Sequence, residues 1–223
     1  MNLLQPVAAW ALRLMPIVAF LALAAPAPAT AEQTGIPSTI VVLGDSLSAG
    51  YGLAPGESFP EKLQAALTER GVATRIVGAG VSGDTTSGGL ARLDWSVPEG
   101  TDGVILELGA NDGLRGVPVE RMRDNLKDMI ERLQARDIAV LLTGMEAPPN
   151  MGAAYTDAYR AAFAGLADEY ELSFYPFFLD GVAGQAALNQ ADGIHPTAEG
   201  IDVIVKRILP SVEAFAQRLR PLP

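Results

Sequence analysis

No cysteine occurs among the 223 residues, and histidine occurs once, at position 195. The first absence excludes disulfides and thiolate metal ligands, so stability has to come from a packed core. The second makes a zinc site a poor fit, because His195 would need several carboxylates to complete one. Basic residues are scarce as well: 16 Lys and Arg stand against 26 Asp and Glu, a net charge of −10. That balance disfavours nucleic acid and anionic membrane surfaces as electrostatic partners. Long apolar runs are also missing. The best stretch, Leu14 to Ala25, is broken by Pro16 and followed by Pro26 and Pro28, too short and too interrupted to span a bilayer.

That stretch reads instead as the apolar part of an export signal. Ala29-Thr30-Ala31 offers the small-x-small pattern of a cleavage site, which predicts a leader over 1–31 and a mature chain starting at Glu32. Only Arg13 and the terminal amine are positive ahead of it, so an uncleaved anchor is the alternative. The expected compartment is the periplasm or the exterior. The remainder, 32–223, is long enough for one substantial core and is read as one domain, expected to be a monomer.

From residue 39 onward, short β-branched runs alternate with amphipathic stretches, the pattern of strands joined by crossover helices in a parallel sheet. Strands are predicted at Thr39 to Leu43, Arg75 to Ala79, Gly103 to Leu108, Ile138 to Thr143 and Ser173 to Phe177. Ser58 and Glu61 form a capping box for a helix that Gly71 stops. Val119, Met122, Leu126, Met129, Ile130 and Leu133 recur at three- and four-residue steps, a core-facing stripe. Ala153 to Glu171 is a further helix, and Thr197 to Leu219 a last one that Pro210 is expected to kink or divide. The predicted architecture is a three-layer α/β/α sandwich on a five-stranded parallel sheet of flavodoxin-like order. Ligands then belong at the carboxyl ends of the strands.

Polar groups and glycines gather at those ends. The first strand runs into Gly44-Asp45-Ser46, the second into Gly80-Val81-Ser82-Gly83-Asp84, and the third into Gly109-Ala110-Asn111-Asp112; Asp192-Gly193-Ile194-His195-Pro196 precedes the last helix. Alone, each reads as a helix cap or a turn. Together they supply the parts of an acyl-transfer site. A serine hydroxyl attacks only when a base takes its proton, and His195 is the sole imidazole available to Ser46. Asp192, three residues earlier, can accept the other ring N–H and stabilise the imidazolium. Oxyanion donors are expected from the backbone N–H of Ser46, that of Gly83 and the side-chain amide of Asn111. Asp45 and Asp112 are expected to hold loops by hydrogen bonds. With one histidine, the acid limb of the pH–rate profile is expected to report one group.

The blocks G-D-S-L-S-A-G-Y-G, V-S-G-D-T-T-S-G-G-L-A-R-L, E-L-G-A-N-D-G-L-R-G and A-D-G-I-H-P resemble those of the SGNH (GDSL) hydrolase superfamily, in order and across the whole mature chain. Within it they look most like the periplasmic thioesterase I, lysophospholipase L1 and arylesterase group. The resemblance implies a serine esterase tolerant of aryl esters, acyl-thioesters and lysophospholipids, with no metal or organic cofactor. It also implies a substrate wall at Gly113 to Pro118, and Ala147 to Tyr155, with Pro148 and Pro149, is expected to form the other. Ala110, where relatives often carry glycine, and Gly52 depart from the group and are expected to alter acyl-chain room. A carbohydrate O-acetylesterase of the same superfamily, or a non-catalytic acyl- or sugar-binding module, are the alternatives. G-x-G-x-x-G over Gly78 to Gly83 is a literal dinucleotide fingerprint, yet it follows the second strand rather than the first, which disfavours a Rossmann oxidoreductase. The close spacing of Asp192 and His195, and the lack of G-x-S-x-G, disfavour the α/β-hydrolase fold.

Overall fold

The computed structural model describes residues 37–219; the expected leader and its cleavage site lie outside the described residues. Five strands form one parallel sheet: β1 (Ser38–Gly44), β2 (Thr74–Gly80), β3 (Gly103–Glu107), β4 (Ala139–Thr143) and β5 (Ser173–Tyr175), in the order β2-β1-β3-β4-β5. The strands buried on both faces are the continuous apolar runs. Ile40, Val41, Val42 and Leu43 of β1 and Val104, Ile105 and Leu106 of β3 are wholly inaccessible, as crossover helices on both sides of a parallel sheet require.

Eight α-helices flank the sheet among the described residues. Four are long: α2 (Phe59–Glu69), α6 (Val119–Gln134), α7 (Ala153–Glu169) and α8 (Ala198–Arg218). Four are short and sit near the strand ends: α1 (Ser46–Ala49), α3 (Thr86–Ala91), α4 (Leu93–Ser96) and α5 (Ala110–Arg115). Helix α2 packs against α8, while α6 packs against α3 and α7. The stripe expected on α6 is in place, with Met122, Leu126, Met129, Ile130 and Leu133 all fully buried. Each such side chain is worth about 1.5–3 kcal/mol relative to exposure. The capping box of α2 is present too, the Ser58 N–H donating to Glu61 at 3.2 Å. Further along α2, the Gln64 amide lies along the outer side of β2. Its Nε2 donates to the Thr74 carbonyl at 3.0 Å, and its Oε1 accepts from the Ile76 N–H at 2.7 Å.

Helix α8 runs without interruption past Pro210, contrary to the expectation of a division there. Pro210 and Lys206, whose carbonyl loses its i+4 donor, are both exposed residues, on the solvent side of the helix where a missing bond costs least. The eight apolar side chains that α8 buries hold it as one element.

Candidate active site

Because β1 lies between β2 and β3, the loops that follow these three strands stand side by side at the carboxyl edge. Ser46 is the first residue of α1, capped by Asp45, whose Oδ1 accepts from the Leu47 N–H at 3.0 Å. It is 8% exposed and faces a largely apolar cleft of about 410 Å³. The Ser46 hydroxyl lies 2.9 Å from Nε2 of His195, and Nδ1 of His195 lies 2.6 Å from Oδ2 of Asp192. Asp192 also accepts from the backbone N–H groups of Ile194 (2.9 Å) and His195 (3.0 Å). The His195 side chain, then these amides, hold its carboxyl down at about 2. A depressed folded pKa stabilises the fold above the ordinary value of 3.8, and this contribution is lost as pH falls through about 2. Asp192 is therefore an anion throughout the neutral range.

Two devices hold the histidine loop that the sequence did not reveal. The Gln190 amide donates to the Tyr51 carbonyl at 2.7 Å and to the Pro196 carbonyl at 2.9 Å, and the Gln190 N–H donates to the His195 carbonyl at 2.7 Å. The loop is thereby tied to the chain just after α1. The Tyr51 ring packs over the imidazole with centroids 4.5 Å apart. Gly52 is explained by the same contact: it has φ +74°, and a Cβ there would run into the Gln190 amide. It serves loop packing and does not line the cleft, whereas Ala110 does.

Gly83 sits in the turn after β2, with φ +83° and only the Arg115 guanidinium, at 3.9 Å, near where a side chain would begin. The Val81 N–H donates to the Gly44 carbonyl at 3.0 Å, and Arg115 donates to the Gly83 carbonyl at 2.9 Å. Arg92 fastens this region from below: it pairs with Asp84 at 2.6 Å and donates to the carbonyls of Ala79 and Gly44, each at 2.8 Å. Gly78 and Gly80 are strand residues, and the helix that follows begins only at Thr86. No phosphate-cradling turn is formed, so the dinucleotide fingerprint is a coincidence of spacing.

Asn111 is the second residue of α5, and its Nδ2 donates to Oδ2 of Asp45 at 3.0 Å. One amide hydrogen is thus engaged and the other is left for the cleft, which Asn111 lines. Asp112 turns the other way and accepts from the Thr86 N–H (2.8 Å) and hydroxyl (2.7 Å), joining α5 to α3. Both aspartates thus hold loops, as expected. The cleft walls also fall where expected, on Leu114 and on Ala147, Pro148 and Pro149. A wider, more open groove of about 670 Å³ lies between α2 and β2, but neither Ser46 nor His195 borders it.

Burial makes Asp45 titrate unusually. Loss of solvent is the largest influence and outweighs the Leu47 and Asn111 hydrogen bonds and the nearby His195, raising its pKa from 3.8 to about 6. As pH falls through 6, Asp45 gains a proton, loses its charge and holds the Asn111 amide more weakly. The acid limb of kcat/KM is therefore expected to be steeper than one proton below about pH 6, one step for the base and one for Asp45. A limb of unit slope down to pH 4.5 would show that Asp45 does not couple to turnover. This revises the single-group limb implied by a lone histidine.

A serine at the end of β1, hydrogen-bonded to a histidine before the last helix on a sheet of order β2-β1-β3-β4-β5, is the arrangement of the SGNH class of hydrolases. The model of the GDSL-like Lipase/Acylhydrolase family matches residues 42–203, and the chain belongs to that family. The esterase TesA of Pseudomonas aeruginosa is 37% identical over 182 residues, 81% of this chain and 90% of that protein. The thioesterase 1/protease 1/lysophospholipase L1 of Escherichia coli K12 is 34% identical over 185 residues, 82% of this chain and 84% of that protein. The crystal structure of a psychrotrophic esterase, EstA from Pseudoalteromonas sp., inhibited by monoethylphosphonate, superposes with a TM-score of 0.77 at 32% identity. It covers 81% of this chain and 99% of its own.

Proposed function

We propose that this protein is a carboxylic ester hydrolase working through an acyl-enzyme formed on Ser46. The observation that carries the reading is the pair of contacts from His195, 2.9 Å to the Ser46 hydroxyl and 2.6 Å to Asp192. His195 accepts the hydroxyl proton as the Ser46 oxygen bonds to the carbonyl carbon. Asp192 holds the ring and balances the imidazolium, which then protonates the departing alkoxide or thiolate. Water, deprotonated by the same imidazole, releases the acid and restores Ser46. The oxyanion is met by the N–H groups of Ser46 and Gly83 and by the Asn111 amide. The apolar cleft suits an acyl chain better than a sugar, which supports aryl esters, acyl-thioesters and lysophospholipids as substrates over O-acetylated carbohydrates. The sequence of 1–31 supports export to the periplasm or beyond, and among the described residues no helix is long and apolar enough to cross a membrane. A monomer suffices for this chemistry, since every proposed group comes from one chain.

A fluorophosphonate ester tests the assignment, because only a serine beside a base attacks phosphorus quickly. Peptide mapping is expected to find the adduct at Ser46 alone. Ser48 is the nearby control: its hydroxyl is 2% exposed and bonded to Glu107. Labelling that persists in full after Ser46→Ala would defeat the proposal.

A further inference from the structure

Glu107 ends β3, opposite Gly44, and is wholly buried. Its Oε2 receives the Ser48 hydroxyl at 2.6 Å and the Asp45 N–H at 3.3 Å, while Oε1 is buried with no partner. These bonds grip α1 on both sides of Ser46. The fit is tight, since a Cβ on Gly44 would collide with both the Glu107 carboxyl and the Ser48 hydroxyl. A helix of four residues has too few internal bonds to hold its own position, so outside anchors set where Ser46 stands.

We propose that Glu107 is a positioning residue for ester hydrolysis, acting as a neutral carboxylic acid that locks Ser48 and Asp45 so that Asp45 can aim the Asn111 amide at the oxyanion. This rests on the esterase reading above. A second buried anion beside Asp45 would be costly, and Asp45, with two N–H donors, is the better placed of the two to carry charge. The other charged neighbours face Asp45: His195, and Asp84, which is paired with Arg92. Burial, then the Asp45 charge, push the Glu107 carboxyl well above its ordinary value. The folded state therefore holds a proton that the unfolded chain releases above about 4.5, so Glu107 makes stability fall as pH rises above that value.

Three measurements on the full chain test this. With an aryl ester, Glu107→Ala should lower kcat roughly 10- to 100-fold at nearly constant KM, as a misplaced reacting group does. Glu107→Gln, neutral and of the same shape, should retain most of kcat. In the Asn111→Ala background, Glu107→Ala should cost less than about threefold more, because the two act along one path. The Tm advantage of Glu107→Gln over the parent should widen from about pH 5 to about pH 8. If Glu107→Ala does not fold, Ser48→Ala removes the same bond from its other end and should show the same non-additivity with Asn111→Ala. Equal damage from Gln and Ala, full additivity, or a pH-independent Tm difference would each overturn the proposal. Turnover by the parent that vanishes in Ser46→Ala upholds the esterase reading separately, whatever the Glu107 variants do.

Discussion

Ser46→Ala is expected to lower kcat for an aryl ester by a factor on the order of 10⁴–10⁶, with KM little changed. Without the oxygen 2.9 Å from His195 there is no atom to carry the acyl group. The residual rate comes from water attacking a substrate held against the oxyanion donors. His195→Ala should cost nearly as much, since an unassisted hydroxyl is a weak nucleophile at neutral pH. The double variant should be no worse than either single one, because the two side chains act as a unit and neither has a task without the other. Steady-state kinetics on the three purified variants decide the matter. Losses that multiply would mean that Ser46 and His195 serve separate steps, and the acyl-enzyme would have to be abandoned.

Asn111→Ala is expected to lower kcat by roughly 10²–10³, about 2.7–4 kcal/mol, again with KM nearly constant, because its amide is useful only when the carbonyl oxygen gains charge. Asn111→Asp should be worse than alanine for two reasons. It aims a negative charge at a developing one, and it sets a carboxyl against Oδ2 of Asp45, where the wild-type Nδ2 donates at 3.0 Å. Two acidic groups at that distance share a proton or repel, so the variant's deficit relative to the parent should narrow as the pH is lowered toward 5.5. Asn111→Ala should show no such narrowing. A rise in KM at constant kcat for Asn111→Ala would make Asn111 a substrate-binding group and remove it from the oxyanion hole.

Much of this was legible in the amino-acid order because the chemistry sits where strands stop. Ser46, Gly83 and Asn111 each follow a β-branched run, and sheet order alone brings those three ends together. Asp192 and His195 are close in sequence, so their pairing is a local matter. Glu107 was hidden for the opposite reason. A single acid at the end of Gly103-Val104-Ile105-Leu106-Glu107 reads as the polar end of a strand, and only the packing of Gly44 and Ser48 against it shows that it is buried. Gln190 was equally silent, and so was much of what Arg92 does beyond its pairing with Asp84, since backbone carbonyls carry no residue-type signature. The short helix α3 gave little signal of its own extent because tertiary contacts stabilise it more than helix propensity does: Gly88 and Gly89 lie inside it.

Among the described residues, strand β2 has a neighbour only on its β1 side, which leaves an outward row of amides and carbonyls of the kind that recruits strands from other molecules. Gln64 fills part of that row. By donating to Thr74 and accepting from Ile76 it imitates the peptide group of a sixth strand, so an incoming chain would first have to displace a side chain already paired. The helix that packs over the sheet thus carries its own counterfeit of the missing strand. Two of the edge's bonding positions are taken in this way, by one glutamine far from the chemistry.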